Sequence, residues 1–349
     1  MSSTQRTKAP AADDFRLGLL FAVGSALAFG MSGPLGKSLM VAGWSPTAAV
    51  TARLAGGALL MALFATAVRP GWIREALVHR RTVVAYGLVP IAGAQLFYYN
   101  AVAHLSVGVA LLLEYTSPIV VVAWLWATTR RRPSTLTLAG AATAVVGIML
   151  VLGVLGAGGI AAAHINLVGV GWGLAAAVCA ACYFLMSGSA GDQHADGRTP
   201  LHPITLAAGG LTIGAVATAL LGVVGVMPLT FTANDAVVGG WTTSWVVPVV
   251  LLGLLPTAVA YTLGIVGIAR LRPRFASLVG LSEVMFAVLA AWLLLGEAIG
   301  VSQAVGGAVV LAGLALARLG DRSDTAAATQ AEWPDTLGEL PHTQPVGRN

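Results

Sequence analysis

The stretch Val107–Thr128, VGVALLLEYTSPIVVVAWLWAT, carries one charged residue, Glu114, and runs directly into Arg130-Arg131-Arg132-Pro133. About 20 apolar residues in a helix cross roughly 30 Å of hydrocarbon, so this segment predicts a membrane span ended by a basic loop. The rest of the chain has the same character. Only 33 of its 349 residues are charged, and thirteen of those lie in 1–16 and 318–349. The 9% of charged residues falls far below the roughly 25% of a soluble domain, and mean hydropathy is +0.84. No soluble surface can be built from this composition. Soluble enzymes and soluble nucleic-acid binders are excluded, and an integral membrane protein is expected.

Ten runs of spanning length follow: Leu17–Gly36, Pro46–Val68, Thr82–Ala103, Val107–Thr128, Leu136–Leu155, Leu167–Gly188, Pro203–Val226, Trp245–Ile268, Phe275–Leu295 and Ile299–Arg318. An even count puts both termini on one side. With the N-terminus in the cytoplasm, 17 basic residues fall in inside segments, Lys37 alone falls outside, and Arg53 falls within a span. This separation is what the positive-inside rule requires of an inner-membrane protein. Met1–Arg16 is polar, and the run after it is too long and too early for a cleaved signal sequence, so the first span is expected to be permanent.

Shifting the chain by 166 residues superposes Leu105 on Leu271, Ala110 on Ala276, Trp126 on Trp292, Gly140 on Gly306 and Gly147 on Gly313. The reading is an all-α protein of ten transmembrane helices in two five-helix repeats, 17–155 and 167–318. Five is odd, so the second repeat enters the membrane inverted relative to the first, which favours a substrate site near the midplane between them. The seven-residue glycine spacings put small residues on one face of the fifth and tenth spans, for close packing within the bundle or between two copies; the bundle is preferred. Residues 1–16 form a cytoplasmic N-terminal tail. The segment 319–349 is polar with Pro334, Pro341 and Pro345, and is expected to be a disordered cytoplasmic tail.

Three charged residues lie well inside spans, Arg53, Glu114 and Glu283. An ionised group at such depth costs at least about 2.5 kcal/mol, so each is a functional candidate. By helical rise, Arg53 and Glu114 share a level and could pair, either as a structural clasp or in substrate binding. Glu283 lies nearer the opposite face with no basic residue evident at its level; a carboxyl protonated there by burial reads first as a structural group hydrogen-bonded to a neighbouring backbone and second as a proton carrier. Lys37 ends the first span as a snorkelling anchor or a ligand. Gln95, Phe97, Tyr98, Tyr99 and Asn100 gather on the third span, and Tyr115, Tyr183 and Tyr261 can add to a cavity wall. Tyr98 reads better as part of the interfacial aromatic belt, and Gln95 and Tyr261 as cavity residues.

Several motif-like strings carry no matching chemistry. Gly30-Met31-Ser32-Gly33 lacks a histidine base at membrane depth, since all six histidines fall in loops or ends. Cys179-Ala-Ala-Cys182 reads as small packing residues within a helix. Asp192, His194, Asp196 and His202 read as a solvated loop rather than a metal site. Gly153–Gly159 lacks the Lys-Ser/Thr of a phosphate loop. No metal, cofactor or ATP use is expected.

The chain resembles the EamA-type transporters of the drug/metabolite transporter superfamily over about residues 17–318. The features that carry this are the paired five-helix halves, Pro34 and Lys37 closing the first span, and Pro46 and Arg53 in the second. Tyr99-Asn100-Ala101 then leads to Ser106-Val107-Gly108-Val109-Ala110, followed by Pro118 and Arg132-Pro133, and later by Glu283 and Trp292-Leu-Leu-Leu-Gly296-Glu297. Glu283-Val284 stands where the family usually reads Glu-Pro, which removes the ground for a kink in the ninth span. The resemblance implies a polytopic inner-membrane carrier, commonly an exporter of amino acids or other small metabolites, working by alternating access. Glu297 reads as a turn and packing residue.

The expected function is secondary transport of a small-molecule substrate, with no nucleic-acid partner and with membrane lipid around it. Proton coupling and a homodimer stay open. A drug or other metabolite carrier is the alternative, followed by a channel and a membrane-embedded enzyme.

Overall fold

The computed structural model describes residues 12–130, 132–154, 166–191, 201–260, 263 and 273–331. Tyr261, Asp192, His194 and Asp196 lie outside them. Among the described residues, six helices are long and apolar enough to cross a membrane, and four shorter apolar helices accompany them: Thr135–Val151, Leu167–Tyr183, Val246–Thr257 and Leu281–Leu295. The chain is a multi-pass helical membrane protein. Many leucines and valines are exposed, as expected where the surrounding solvent is hydrocarbon.

Prolines shape the spans. The first is α1 (Ala12–Gly30) joined through Met31 to α2 (Ser32–Val41), so the helix runs on beyond Pro34 and Lys37 instead of closing there. Pro34 has no N–H to offer Gly30 O, and its ring crowds that carbonyl, which accounts for the joint. Next come α3 (Pro46–Val68), capped by the Ser45 side chain, and the short α4 (Trp72–Val78). The third span is α5 (Arg80–Tyr86), a π-helical stretch Gly87–Gly93 around Pro90, and α6 (Ala94–His104). The fourth is broken: α7 (Val107–Glu114) stops, Thr116 N–H turns back to Leu113 O, and α8 (Ser117–Thr129) restarts with Pro118 in its first turn. Helix α9 is Thr135–Val151.

The second half holds α10 (Leu167–Gly191), α11 (Pro203–Val223) and an antiparallel pair β1 (Ala236–Val238) and β2 (Trp241–Thr243). Helix α12 (Val246–Gly253) then passes into a second π-helical stretch, Leu254–Val259, around Pro256. Helix α13 (Pro273–Leu295) runs unbroken through Glu283-Val284. Helix α14 (Val301–Ala331) continues well past Arg318, correcting the expectation of a disordered tail from 319 as far as Ala331. Asp321–Ala331 is alanine-rich, and extending an existing helix costs far less than nucleating one.

The largest contact is α9 on α14, with α3 on α11, α6 on α10 and α1 on α13 completing the bundle. A Cβ on Gly147 would lie 2.6 Å from Val310 N, and one on Gly306 would lie 2.6 Å from Val151 N. Gly140 and Gly313 meet in the same way farther along. The glycines therefore serve packing within the bundle, in an antiparallel backbone-to-backbone seam.

Polar clasps join the halves at opposite ends of α3. Beyond its N-terminus, Lys37 Nζ lies 2.5 Å from Glu297 Oε1 and donates to Leu105 O, while Glu297 Oε2 accepts the Val107 N–H at 3.1 Å. Lys37 is thus an ion-pair member, not a snorkelling anchor, and Glu297 does more than fill a turn. The segment before α12 straps the same end: Trp44 Nε1 donates to Thr232 O, Thr232 Oγ1 donates to Ala42 O, and Gly239 N–H donates to Leu294 O. At the other end Glu75 accepts from His202 N–H (2.8 Å), Thr205 Oγ1 (2.7 Å) and Arg69 Nε (2.9 Å). It thereby caps α11 with a carboxylate, which suits the positive end of the helix dipole. Partial burial opposes the Glu75 charge, but the bonds from His202, Thr205 and Arg69 outweigh it and hold the carboxyl below its ordinary value of 4.5.

Two outcomes are expected. Gly306→Val forces α9 and α14 apart and lowers stability by roughly 1–3 kcal/mol, read as a fall in melting temperature in detergent. The depressed Glu75 carboxyl stabilises the fold above pH 4.5, and that contribution is lost as pH falls through its folded value. Melting of the native protein therefore drops on acidification in this range, and Glu75→Gln flattens that component of the profile.

Candidate functional site

Arg53 sits about two turns into α3 and is buried. Its Nη1 donates to Gln95 Oε1 on α6, and its guanidinium carbon lies 5.9 Å from the centre of the Tyr99 ring, one turn along the same helix. Arg53 and Glu114, which depth alone allowed to pair, form no ion pair among the described residues. The reason is reach: the π-helical stretch at Pro90 precedes Gln95 directly and sets the rotation of α6 that faces its amide toward α3.

Tyr99 is held in turn. Its hydroxyl donates to Ser32 O at 3.2 Å and meets Ser32 Oγ at 3.3 Å, beside the joint between α1 and α2. The ring lies flat enough against Gly36 that a Cβ there would come within 2.8 Å of Tyr99 Cζ, so Gly36 is required for the close approach. Tyr98 packs its hydroxyl against Gly33 and is only 4% exposed, so it belongs to the core and not to an interfacial belt. Asn100 turns its amide back onto Leu96 O of its own helix, at 2.7 Å.

Glu283 projects from α13 and accepts a 2.7 Å hydrogen bond from the Tyr115 hydroxyl, at the break between α7 and α8. Glu114, the last residue of α7, accepts no hydrogen bond among the described residues and lies within electrostatic reach of both Glu283 and Arg53. Arg53 also bears on Glu283, so that carboxyl does have a basic group near its level. Arg53, Gln95, Tyr99, Glu114, Tyr115 and Glu283 thus form one polar group in an apolar bundle. Lys37 is engaged in its clasp, Asn100 in its own helix, and Tyr183 sits at the surface against Tyr86.

Broken helices at membrane depth are tolerated only inside protein or along a cavity, and they free main-chain groups for ligands. Pro118 gives no N–H to Glu114 O, and Ile119 N–H goes to Thr116 O. The site therefore combines a buried cation held by a neutral amide, a carboxylate without a hydrogen bond, and freed backbone at the break. Sequence reading missed Ser32 and the two π-helical stretches. A signal for the stretches existed, since Pro90 and Pro256 are separated by the same 166 residues as the repeat.

The description EamA-like transporter family matches this chain twice, over residues 16–153 and 167–319. The threonine/homoserine exporter RhtA of Salmonella typhimurium LT2 is 30% identical over 265 residues, 75% of this chain and 78% of that protein. RhtA of Escherichia coli K12 is 29% identical over 284 residues, 80% of this chain and 84% of that protein. A solved crystal structure shares the fold with a TM-score of 0.57 at 21% identity, covering 88% of this chain and 98% of that one. The chain belongs to the EamA-like transporter family of the drug/metabolite transporter superfamily.

Proposed function

We propose that this protein is a secondary carrier that exports small zwitterionic metabolites, amino acids among them, by alternating access of two inverted five-span halves. The observation that carries the proposal is the placement of two central side chains. Arg53 is buried against the neutral Gln95 and Tyr99, and the Glu114 carboxyl accepts no hydrogen bond among the described residues, so both groups are available to a polar ligand. A carboxylate fits the guanidinium fork and an ammonium fits Glu114. The kinship with exporters of threonine and homoserine supports the same class.

Inversion is supported by how the helices cross. Under the 166-residue shift Gly140 corresponds to Gly306 and Gly147 to Gly313, while the contacts run Gly140 to Gly313 and Gly147 to Gly306. Such exchange of equivalents is the mark of a two-fold relation. Ten spans are supported by the six long and four shorter apolar helices, and a cytoplasmic position of both termini by the basic loops. Boundaries at 17–155 and 167–318 accord with this arrangement.

In this reading the Lys37–Glu297 clasp closes the outer mouth and the Glu75 clasp ties the inner one. Glu283, hydrogen-bonded to Tyr115 beside Glu114, is the group through which a proton gradient would act.

Counterflow in proteoliposomes with labelled threonine, homoserine and other amino acids tests the assignment; saturable exchange of one class is expected. Flux that never saturates would point to a channel instead. Arg53→Gln and Glu114→Gln are each expected to lower exchange at least about tenfold, the loss of a charge-assisted contact of roughly 1.5–3 kcal/mol. Glu283→Gln should keep exchange and lose its response to an imposed pH gradient; an unchanged response would remove Glu283 from coupling. Lys37→Glu is expected to impair transport, and Lys37→Glu with Glu297→Lys to restore a substantial part of it.

A further inference from the structure

A basic stripe on the lipid-facing side of α4 and α5 has no part in the site described above. Helix α4 presents Ile73 (56% exposed) and Leu77 (65% exposed) outward, while Trp72 is buried and Glu75 reaches α11 on the other side. Helix α4 ends at His79, whose N–H bonds Glu75 O, and beyond it Val84 on α5 and Leu88 in the π-helical stretch are exposed. Ile73 and Leu77 share one face of α4, and Val84 and Leu88 lie four residues apart near the start of the next span. Arg74 on α4 and Arg80 and Arg81 at the start of α5 are exposed beside these two apolar pairs.

This arrangement is unusual for a solvated charged surface. Arg80 begins a segment, Arg80–His104, that is long and apolar enough to span, so Val84 and Leu88 lie in hydrocarbon and the arginines lie where headgroups begin. Ile73 and Leu77, also exposed, would face water unless α4 lies along the interface with them turned into the acyl boundary. None of the three arginines forms an ion pair with a described residue, and the nearby carboxylate of Glu75 is taken by Arg69, His202 and Thr205. Three guanidinium groups at headgroup level, in no ion pair with a described residue, match phosphate oxygens in geometry and charge.

We propose that Arg74, Arg80 and Arg81 form a seat for the headgroups of net-anionic phospholipids, with Ile73, Leu77, Val84 and Leu88 holding the acyl chains. Each basic side chain near an anionic surface strengthens binding about fivefold. A zwitterionic phospholipid carries its own cation and gains far less.

The test measures how strongly the full-length protein in mixed micelles enriches labelled phosphatidylglycerol over phosphatidylcholine. Arg74→Gln/Arg80→Gln/Arg81→Gln is expected to lower the enrichment at least about tenfold, and Arg81→Gln alone about fivefold. The Lys triple at the same positions should retain most of it. The control Arg16→Gln/Arg130→Gln/Arg132→Gln removes equal charge at other span ends of the same face, where the arginines are not gathered together, and should lower enrichment clearly less than the first triple does. Equal losses in the two Gln triples would reduce the effect to overall charge and overturn the seat. Unchanged enrichment in the first triple, or full displacement of the lipid by inorganic phosphate at equal concentration, would overturn it as well. Melting in phosphatidylcholine alone verifies that each variant is folded, and the single and Lys variants decide the matter if the Gln triple is not.

Discussion

Hydrocarbon offers no partner to a polar group, so each backbone atom that a proline frees must be satisfied inside the bundle. Four prolines interrupt helices among the described residues, and the gaps are repaired in three ways. Pro34 leaves a joint at Met31; Pro90 and Pro256 widen their helices into π turns; Pro118 is preceded by a tight turn at Tyr115–Thr116 where the Thr116 hydroxyl bonds Leu113 O. The repairs draw polar side chains to the same level: Ser32 at the first gap, Gln95 after the second, Glu114 and Tyr115 at the third. The candidate site is in this sense a consequence of where the helices are broken.

The contacts between the halves differ in kind from middle to end. Along α9 and α14 the backbones touch through glycine, and no side chain can yield to let them separate gradually. At the two ends of α3 the halves are held by an ion pair and by a capped helix start, each partly open to solvent and each limited to a few hydrogen bonds. Partly exposed ionic contacts contribute little net energy compared with a close-packed seam. The stiff and the yielding parts of the bundle are therefore set apart by chemistry, with small apolar residues for the former and polar side chains for the latter.

Much of the fold was legible because a membrane makes the hydrophobic signal strong. Spans such as Pro46–Val68 appear at the predicted residues, since a lipid-facing helix has to be apolar all round. The partners of Arg53 were not legible for the same reason. When every face is apolar, composition gives no helix rotation, and depth alone suggested Glu114 where rotation selects Gln95. Lys37 was misread because its acceptor, Glu297, lies at a distant point of the chain, and nothing local signals a contact across halves. The helical extension to Ala331 was hidden by polarity, which marks the end of a span but not the end of a helix.

The two halves share a repeat and yet differ where the chemistry lies. Pro118 in the first half corresponds, 166 residues on, to Val284 in the second. The first therefore breaks between α7 and α8, and the second keeps α13 whole. An unbroken helix holds the Glu283 side chain on a rigid backbone with its main-chain groups engaged. A broken one lets Tyr115 turn across to meet it and leaves Glu114 at a helix end. By the same shift Glu283 corresponds to Ser117 and Glu114 to Gly280, so the two carboxyl groups are not equivalents of each other and stand in different surroundings. The single proline distinguishes one carboxyl that is fixed and hydrogen-bonded from one that accepts no hydrogen bond among the described residues and stands beside freed backbone.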